Sequence, residues 1–182
     1  MKNKRRYKKK IEISTNRRQG IEMKIEESIK KYADIEQENV IAKDKMQILY
    51  DCTLCPRNCH VDRIAGQRGR CHETAEIVAA RAALHMWEEP CISGKMGSGA
   101  VFFSGCSMGC IFCQNHNIAE AKAGKVITVK RLSEIFLELQ GKGAANINLV
   151  TPTHYVPQIV KALDIAREAG LVLPVVYNTS GY

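Results

Sequence analysis

The distribution of cysteines constrains this chain more than any other feature of its sequence. Seven of the eight cysteines fall into two groups. The first group has the spacing C-x2-C-x3-C-x11-C and consists of Cys52, Cys55, Cys59 and Cys71. The second has the spacing C-x3-C-x2-C and consists of Cys106, Cys110 and Cys113. No secretory signal pattern opens the chain, so this grouping indicates metal or redox chemistry rather than a disulfide framework.

Thiolates restrict the candidate metals to zinc, copper(I) and iron-sulfur clusters. The four cysteines of the first group close a coordination shell, and zinc and a 4Fe-4S cluster are both open there, with His60 and His72 as possible substitutes. A 4Fe-4S cluster normally takes four cysteines, so a cluster held by the second group would keep one iron free. A closed Cys3His zinc site that includes His116 is the alternative. Cys91 stands alone and is expected to be a buried structural thiol.

Composition indicates a globular protein, with 45% apolar and 25% charged residues. The net charge of +8 comes from a basic arm, because residues 1–18 carry nine Lys or Arg against one Glu and the rest of the chain is balanced. The arm is expected to be a solvated tail, and binding to nucleic acid is not expected. The apolar stretches are too short to cross a bilayer. A cytoplasmic location and no membrane partner are therefore expected.

The second half of the chain alternates between strand and helix patterns. Short apolar runs at 100–104, 147–151 and 173–178 predict buried strands, and helices are predicted from Thr128 to Gly141 and from Pro157 to Gly170. This order is typical of parallel βαβ units, so the fold class is α/β. Three such strands would leave one sheet edge unpaired, so the chain is expected to be a fragment of a longer protein.

Three regions are predicted along the chain. Residues 1–49 comprise the basic arm and an amphipathic helix with Ile21, Ile25 and Ile29 on one face. Residues 50–96 form a small cysteine-rich metal-binding module built on loops. Residues 97–182 form the βα repeat that carries the second cysteine group.

Several motifs of the chain resemble one known family. The spacing C-x3-C-x2-C after the first strand of a βα repeat, with Phe112 just before the last cysteine, resembles the radical S-adenosylmethionine signature. The stretches "CTLCPRNCHVDRIAGQRG", "SGC", "CQN", "TPTH" and "NTSGY" are similar to the branch related to the pyruvate formate-lyase activating enzyme. The resemblance covers roughly residues 50–182 and implies a partial (β/α) radical S-adenosylmethionine barrel with about three βα units, preceded by the module and the helix.

The resemblance also implies a cofactor, a reaction and partners. Cys106, Cys110 and Cys113 would bind three irons of a 4Fe-4S cluster, and the fourth iron would chelate S-adenosylmethionine. One electron would split the sulfonium into methionine and a 5'-deoxyadenosyl radical, which abstracts hydrogen from a substrate. The enzyme would be an oxidoreductase similar to glycyl-radical activating enzymes, with a protein substrate and an electron donor such as flavodoxin or ferredoxin.

Further cofactor contacts follow from the same resemblance. Phe112 would pack near the adenine. The Gly-Gly-Glu-like stretch of the family is replaced by Thr151, Thr153 and His154 around Pro152, which offer no carboxylate to the methionine amine. Asn178 and Ser180 follow the third strand and are expected to reach polar groups of the ligand. The rival hypothesis is a non-enzymatic module stapled by zinc at both cysteine groups, or an inactive fragment.

Overall fold

The computed structural model describes residues 46–180, which fold as a mixed α/β unit around one five-stranded sheet. The strands are β1 (Ile77–His85), β2 (Ser98–Phe103), β3 (Lys125–Ile127), β4 (Ile147–Val150) and β5 (Val175–Asn178). The helices are α1 (Pro90–Ser93), α2 (His116–Ala119), α3 (Val129–Gly141) and α4 (Val156–Glu168), with a 3-10 turn at Thr153–Tyr155. The basic arm and the amphipathic helix predicted from the sequence lie outside the described residues.

The sheet contains the three parallel strands that the sequence predicts and two more. Its strand order is β3-β1-β2-β4-β5, and β4 pairs in parallel with both β2 and β5. On the other side of β2, β1 pairs with β2 and with β3 in antiparallel fashion. Strand β1 belongs to the segment predicted as a cysteine-rich module, so that segment and the βα repeat share one sheet. The edge next to β2 is therefore covered.

Helix α3 forms where the sequence predicts it, for the expected physical reasons. The Thr128 hydroxyl accepts a hydrogen bond from the backbone N–H of Arg131 at 3.0 Å, which satisfies one of the free donors of the first turn. The helix buries Leu132, Phe136 and Leu139 against the sheet. These apolar residues recur at helical spacing and form one continuous face.

Helix α4 begins one residue before Pro157, which occupies the first turn, where a missing N–H costs nothing. The helix buries Ile159, Ala162 and Ala166 in the core. Val160 is only half-buried.

Alternation along the strands separates the two faces of the sheet. Val101 and Phe103 of β2 join Ile147 and Leu149 of β4 in the core beneath the helices. The intervening residues, including the fully buried Asn148, lie on the opposite face. The carboxyl ends of the parallel strands β2, β4 and β5 lie at one edge, and the second cysteine group follows β2 at this edge.

Two further observations bear on expectations from the sequence. Among residues 46–180, no helix combines the length and the apolar character that a bilayer crossing demands.

Cys91 is exposed, so the prediction of a buried structural thiol is wrong. It lies in the four-residue helix α1, which buries only Ser93.

Candidate metal centre

The loop after β2 carries the second cysteine group. Cys106, Cys110 and Cys113 are free thiols of intermediate burial. The backbone N–H of Met108 points at Cys106 Sγ at 3.5 Å, and the N–H of Cys113 donates to the carbonyl of Cys110 at 3.2 Å. Gly109 allows the sharp turn between the cysteines, since its φ of +64° lies in the left-handed region. An amide aimed at sulfur suits a thiolate, and hydrogen bonds of this kind tune iron-sulfur clusters.

The end of β4 meets this loop. The Thr151 hydroxyl lies 3.9 Å from Cys106 Sγ and is oriented to donate to it. Residues that follow neighbouring parallel strands lie at the same edge of a sheet, and β2 and β4 are such a pair. Thr151 is half-buried.

The other residues expected to contact S-adenosylmethionine occupy different environments. Phe112 is 87% exposed on the cysteine loop. Asn178 and Ser180 are exposed at and just beyond the end of β5. Thr153 is buried, and its Oγ1 accepts a hydrogen bond from the Tyr177 hydroxyl at 3.2 Å. The residues predicted to contact S-adenosylmethionine therefore differ sharply in their exposure to solvent.

His154 connects the two strand ends through the interior. It is 3% exposed, and its Nε2 lies 2.7 Å from the carbonyl oxygen of Ser104, the residue two before Cys106. Burial lowers the pKa of His154 to about 4, with a smaller contribution from the nearby charge of Arg63 and an opposing one from the bond to Ser104. The neutral ring thus donates Nε2–H to Ser104 and holds the start of the cysteine loop.

The first cysteine group lies on tight turns at 52–71. Cys52 and Cys71 are buried, and Cys55 and Cys59 are half-buried. Asn58, His60 and His72 adopt left-handed backbone conformations that reverse the chain beside the cysteines. The backbone N–H of Arg70 points at Cys59 Sγ at 3.3 Å.

The two histidines proposed as substitute ligands make other contacts. His60 Nδ1 lies 2.7 Å from Asp51 Oδ1 in an exposed pair. His72 Nε2 lies 3.4 Å from a guanidinium nitrogen of Arg70. Both rings are therefore engaged outside the cysteine group in this structure.

Three charged or polar residues that no sequence motif marks are buried beside the cysteine groups. Arg63 is 1% exposed, Glu73 is 3% exposed and Tyr155 is fully buried. Burial is the main cause that raises the pKa of Glu73, and the hydroxyls of Ser104 and Tyr155 partly oppose it. Burial is also the main cause that raises the pKa of Tyr155. No periodicity in the sequence distinguishes these residues from exposed ones, so only their position beside cysteines could have singled them out.

The loops of the two cysteine groups are in direct contact. Arg57 Nε donates to the carbonyl of Ser107 at 3.0 Å, and Arg70 donates to the carbonyl of Met108 at 3.4 Å. Gly105 packs so tightly that a Cβ there would collide with the carbonyl of Cys71 and the side chain of Glu73. The first group therefore forms part of the support of the second.

The thiols are on neighbouring turns but do not form a coordination shell. Within residues 46–180, no set of three or more His, Cys, Asp or Glu side chains has the arrangement needed to hold a metal ion. The donor atoms still suit zinc or an iron-sulfur cluster, because each cysteine group presents several thiols and at least one backbone amide directed at a sulfur.

Comparison with known protein families identifies the class of centre. Residues 92–182, which make up half of the chain, match the model of the 4Fe-4S single cluster domain. The chain belongs to this family. Its matched part contains three cysteines, Cys106, Cys110 and Cys113, and the first cysteine group lies outside it. An iron-sulfur cluster-binding domain is therefore established, and the expectation of a 4Fe-4S protein is confirmed at that level.

One curated relative also aligns with the chain. An uncharacterised protein of Methanocaldococcus jannaschii is 29% identical over 144 residues, covering 74% of this chain. The alignment spans 40% of that relative's length. No solved structure matches the chain.

Proposed function

We propose that this 4Fe-4S domain is the cluster-binding part of a radical S-adenosylmethionine enzyme. One observation carries the proposal: a 4Fe-4S domain normally needs four cysteines, and the matched region supplies only three. Cys106, Cys110 and Cys113 would hold three irons. The fourth iron would be open to the amine and carboxylate of S-adenosylmethionine.

The position of the loop supports a ligand at this iron. The loop follows β2 at the carboxyl edge of the parallel strands, where α/β barrels carry their chemistry. Thr151 directly follows β4 and Asn178 is the last residue of β5, so both lie at the same edge, and Ser180 follows two residues after Asn178. We propose that these residues contact the ligand directly and that exposed Phe112 covers the adenine.

Thr153 and His154 fit a supporting role better than direct ligand contact. The Thr153 hydroxyl is paired with Tyr177, and the His154 ring is buried and bonded to Ser104. Both lie in the 3-10 turn that follows Thr151. In the proposal they hold the ends of β4 and β2 in place, so that Thr151 and Cys106 stay adjacent.

The bound cluster would supply one electron that splits S-adenosylmethionine into methionine and a 5'-deoxyadenosyl radical, which takes a hydrogen atom from the substrate. The protein's own task is to position the ligand and exclude water from the sulfonium. We propose a protein substrate, as for glycyl-radical activating enzymes, and a flavodoxin or ferredoxin as electron donor. The described sheet would form part of a radical S-adenosylmethionine barrel, in an oxidoreductase located in the cytoplasm.

A second metal completes the proposal. Cys52, Cys55, Cys59 and Cys71 would bind zinc or a second 4Fe-4S cluster in the module at 50–96. The amide directed at Cys59 Sγ and the contact between the two cysteine loops support this site. Its metal would stabilise the turns on which the loop at 105–113 rests.

Product analysis tests the proposed chemistry. The full chain is reconstituted anaerobically with iron and sulfide, reduced with dithionite and incubated with S-adenosylmethionine, and 5'-deoxyadenosine and methionine are quantified. We expect both products in equal amounts from the wild type and from Cys91→Ala, which removes an exposed cysteine outside both groups. The triple Cys106, Cys110 and Cys113 to Ala variant should form neither. Absence of both products from iron-loaded wild type contradicts the proposal.

A further inference from the structure

The most unusual buried group of the described residues is the guanidinium of Arg63. It is 1% exposed and donates to the carbonyls of His154 and Thr74, both at 2.6 Å. Its Nε is buried without a hydrogen-bond partner. Its cation also lies 5.6 Å from the ring centroid of Tyr155. Neutral carbonyls and a ring do not cancel a positive charge, and an arginine is almost never fully buried unless it is paired.

No ion pair among residues 46–180 includes Arg63. Its charge acts on the buried carboxyl of Glu73 only at a distance, as the weakest of the effects on the pKa of that carboxyl. The guanidinium instead points at the first cysteine group, with a terminal nitrogen 3.9 Å from Cys52 Sγ. Cys52 is itself buried, and so is Cys71. A buried cation directed at a buried sulfur is the arrangement expected when that sulfur is a metal-bound thiolate.

We infer that Arg63 is the buried counter-cation of a net negative metal centre formed by the thiolates of Cys52, Cys55, Cys59 and Cys71. This inference rests on the second metal site proposed above and assigns its charge and its partner. Four thiolates around zinc or around an oxidised 4Fe-4S core leave a net negative charge in either case. The shared chemistry is therefore a negative tetrathiolate, whichever metal is present.

The same guanidinium connects this centre to the second cysteine loop. Arg63 binds the backbone carbonyl of His154, whose ring binds the carbonyl of Ser104 immediately before Gly105 and Cys106. Gly105 in turn packs against Cys71. Metal binding by the first cysteine group would thus hold two contacts of the Cys106 loop in place. These are the bond of His154 to Ser104 and the packing of Gly105 against Cys71.

Metal affinity of the full chain tests the inference. The triple Cys106, Cys110 and Cys113 to Ala background removes the other site, so failure of the radical chemistry cannot affect the result. Cobalt(II) and zinc are titrated in competition with a chelator, and thiolate-to-cobalt absorption reports the ligand set. Anaerobic iron and sulfide loading, followed by metal and sulfide analysis, separates a zinc site from a cluster.

Arg63→Met should weaken the affinity by about 10- to 100-fold, as expected for loss of a partner of the metal ligands. Arg63→Lys keeps the charge and should stay much closer to the wild type. Arg68→Met is the matched control, because exposed Arg68 also donates to a backbone carbonyl, that of His72 at 2.7 Å. It should leave the affinity within about two-fold, since an exposed charge is screened by water.

Glu73 is the rival partner for the charge of Arg63, because its carboxyl is buried and is affected by that charge. If Glu73→Gln weakens metal binding as much as Arg63→Met does, the inference is wrong. It is also wrong if Arg63→Met binds metal as tightly as Arg68→Met, or if the background variant binds neither zinc, cobalt nor an iron-sulfur cluster.

A folding defect of Arg63→Met does not hide the answer. Arg63→Lys is then the deciding variant, because it keeps the cation but lacks the planar fork that donates to the carbonyls of both His154 and Thr74. Folded Arg63→Lys should bind zinc within about ten-fold of the wild type. A loss of affinity as large as that expected for Arg63→Met would show that Arg63 serves only through those bonds, and the inference would be overturned.

Discussion

Acidification should destabilise the fold through His154. The folded protein holds the pKa of this ring at about 4, against an ordinary value of 6.5. Between these two pH values the His154 ring is protonated in the unfolded chain but stays neutral in the folded chain. The free energy of unfolding therefore falls as the pH drops. The loss in free energy of unfolding should reach about 2 kcal/mol near pH 5 and about 3 kcal/mol below the folded pKa. These values follow from roughly 1.4 kcal/mol for each unit of difference between the two pKa values.

The assay is chemical unfolding of the wild type and of His154→Gln in parallel, at about pH 7.5 and about pH 5. Glutamine can still donate to the carbonyl of Ser104 but does not titrate in this range. Other carboxyls and the metal ligands affect both proteins alike, so they cancel in the difference. The free energy of unfolding should fall by about 2 kcal/mol more in the wild type than in His154→Gln. An equal fall in both proteins would show that His154 is not buried in its neutral form.

Three further variants test the packing and the site. Gly105→Ala places a Cβ against Cys71 and Glu73 at a φ of +80°, so it should cost more than about 1 kcal/mol in unfolding experiments and reduce iron uptake; unchanged uptake would argue against contact between the two cysteine loops. Leu139→Ala removes a fully buried side chain and should cost about 2–5 kcal/mol by the same assay, whereas a loss under about 1 kcal/mol would contradict its place in the core. Phe112→Ala should change stability by less than about 0.5 kcal/mol, because the ring is exposed. It should nevertheless weaken S-adenosylmethionine binding in equilibrium titrations if the ring covers the adenine.

The regular half of the fold could be predicted from the sequence because its signals are local. Apolar runs mark β2, β4 and β5, and Thr128 and Pro157 mark the starts of the two long helices. Strand β1 escaped prediction because alanine has little preference for strands, so "IVAARAALH" shows no clear alternation. Its structure depends on pairing with β2 and β3, which lie far along the chain.

The candidate site divides in the same way. The spacing of Cys106, Cys110 and Cys113 predicted a thiolate metal centre, with zinc, copper(I) and an iron-sulfur cluster as candidates, because ligands on one loop are readable in a linear sequence. The choice of a 4Fe-4S cluster came from the resemblance to a known family. Arg63 and Glu73 could not be selected, since their importance comes from burial between loops that only the fold brings together. The same applies to His154, whose bond to Ser104 joins residues fifty positions apart.

The central proposal is that one iron of the 4Fe-4S cluster is bound by no cysteine and is open to S-adenosylmethionine. It is tested most directly by electron paramagnetic resonance of the anaerobically reconstituted, reduced protein, recorded with and without S-adenosylmethionine. We predict a cluster signal that changes on addition of the ligand in the wild type and in Cys91→Ala, and no such change in the triple Cys106, Cys110 and Cys113 to Ala variant. A cluster signal that is indifferent to S-adenosylmethionine, or a protein that takes up only zinc, would contradict the claim.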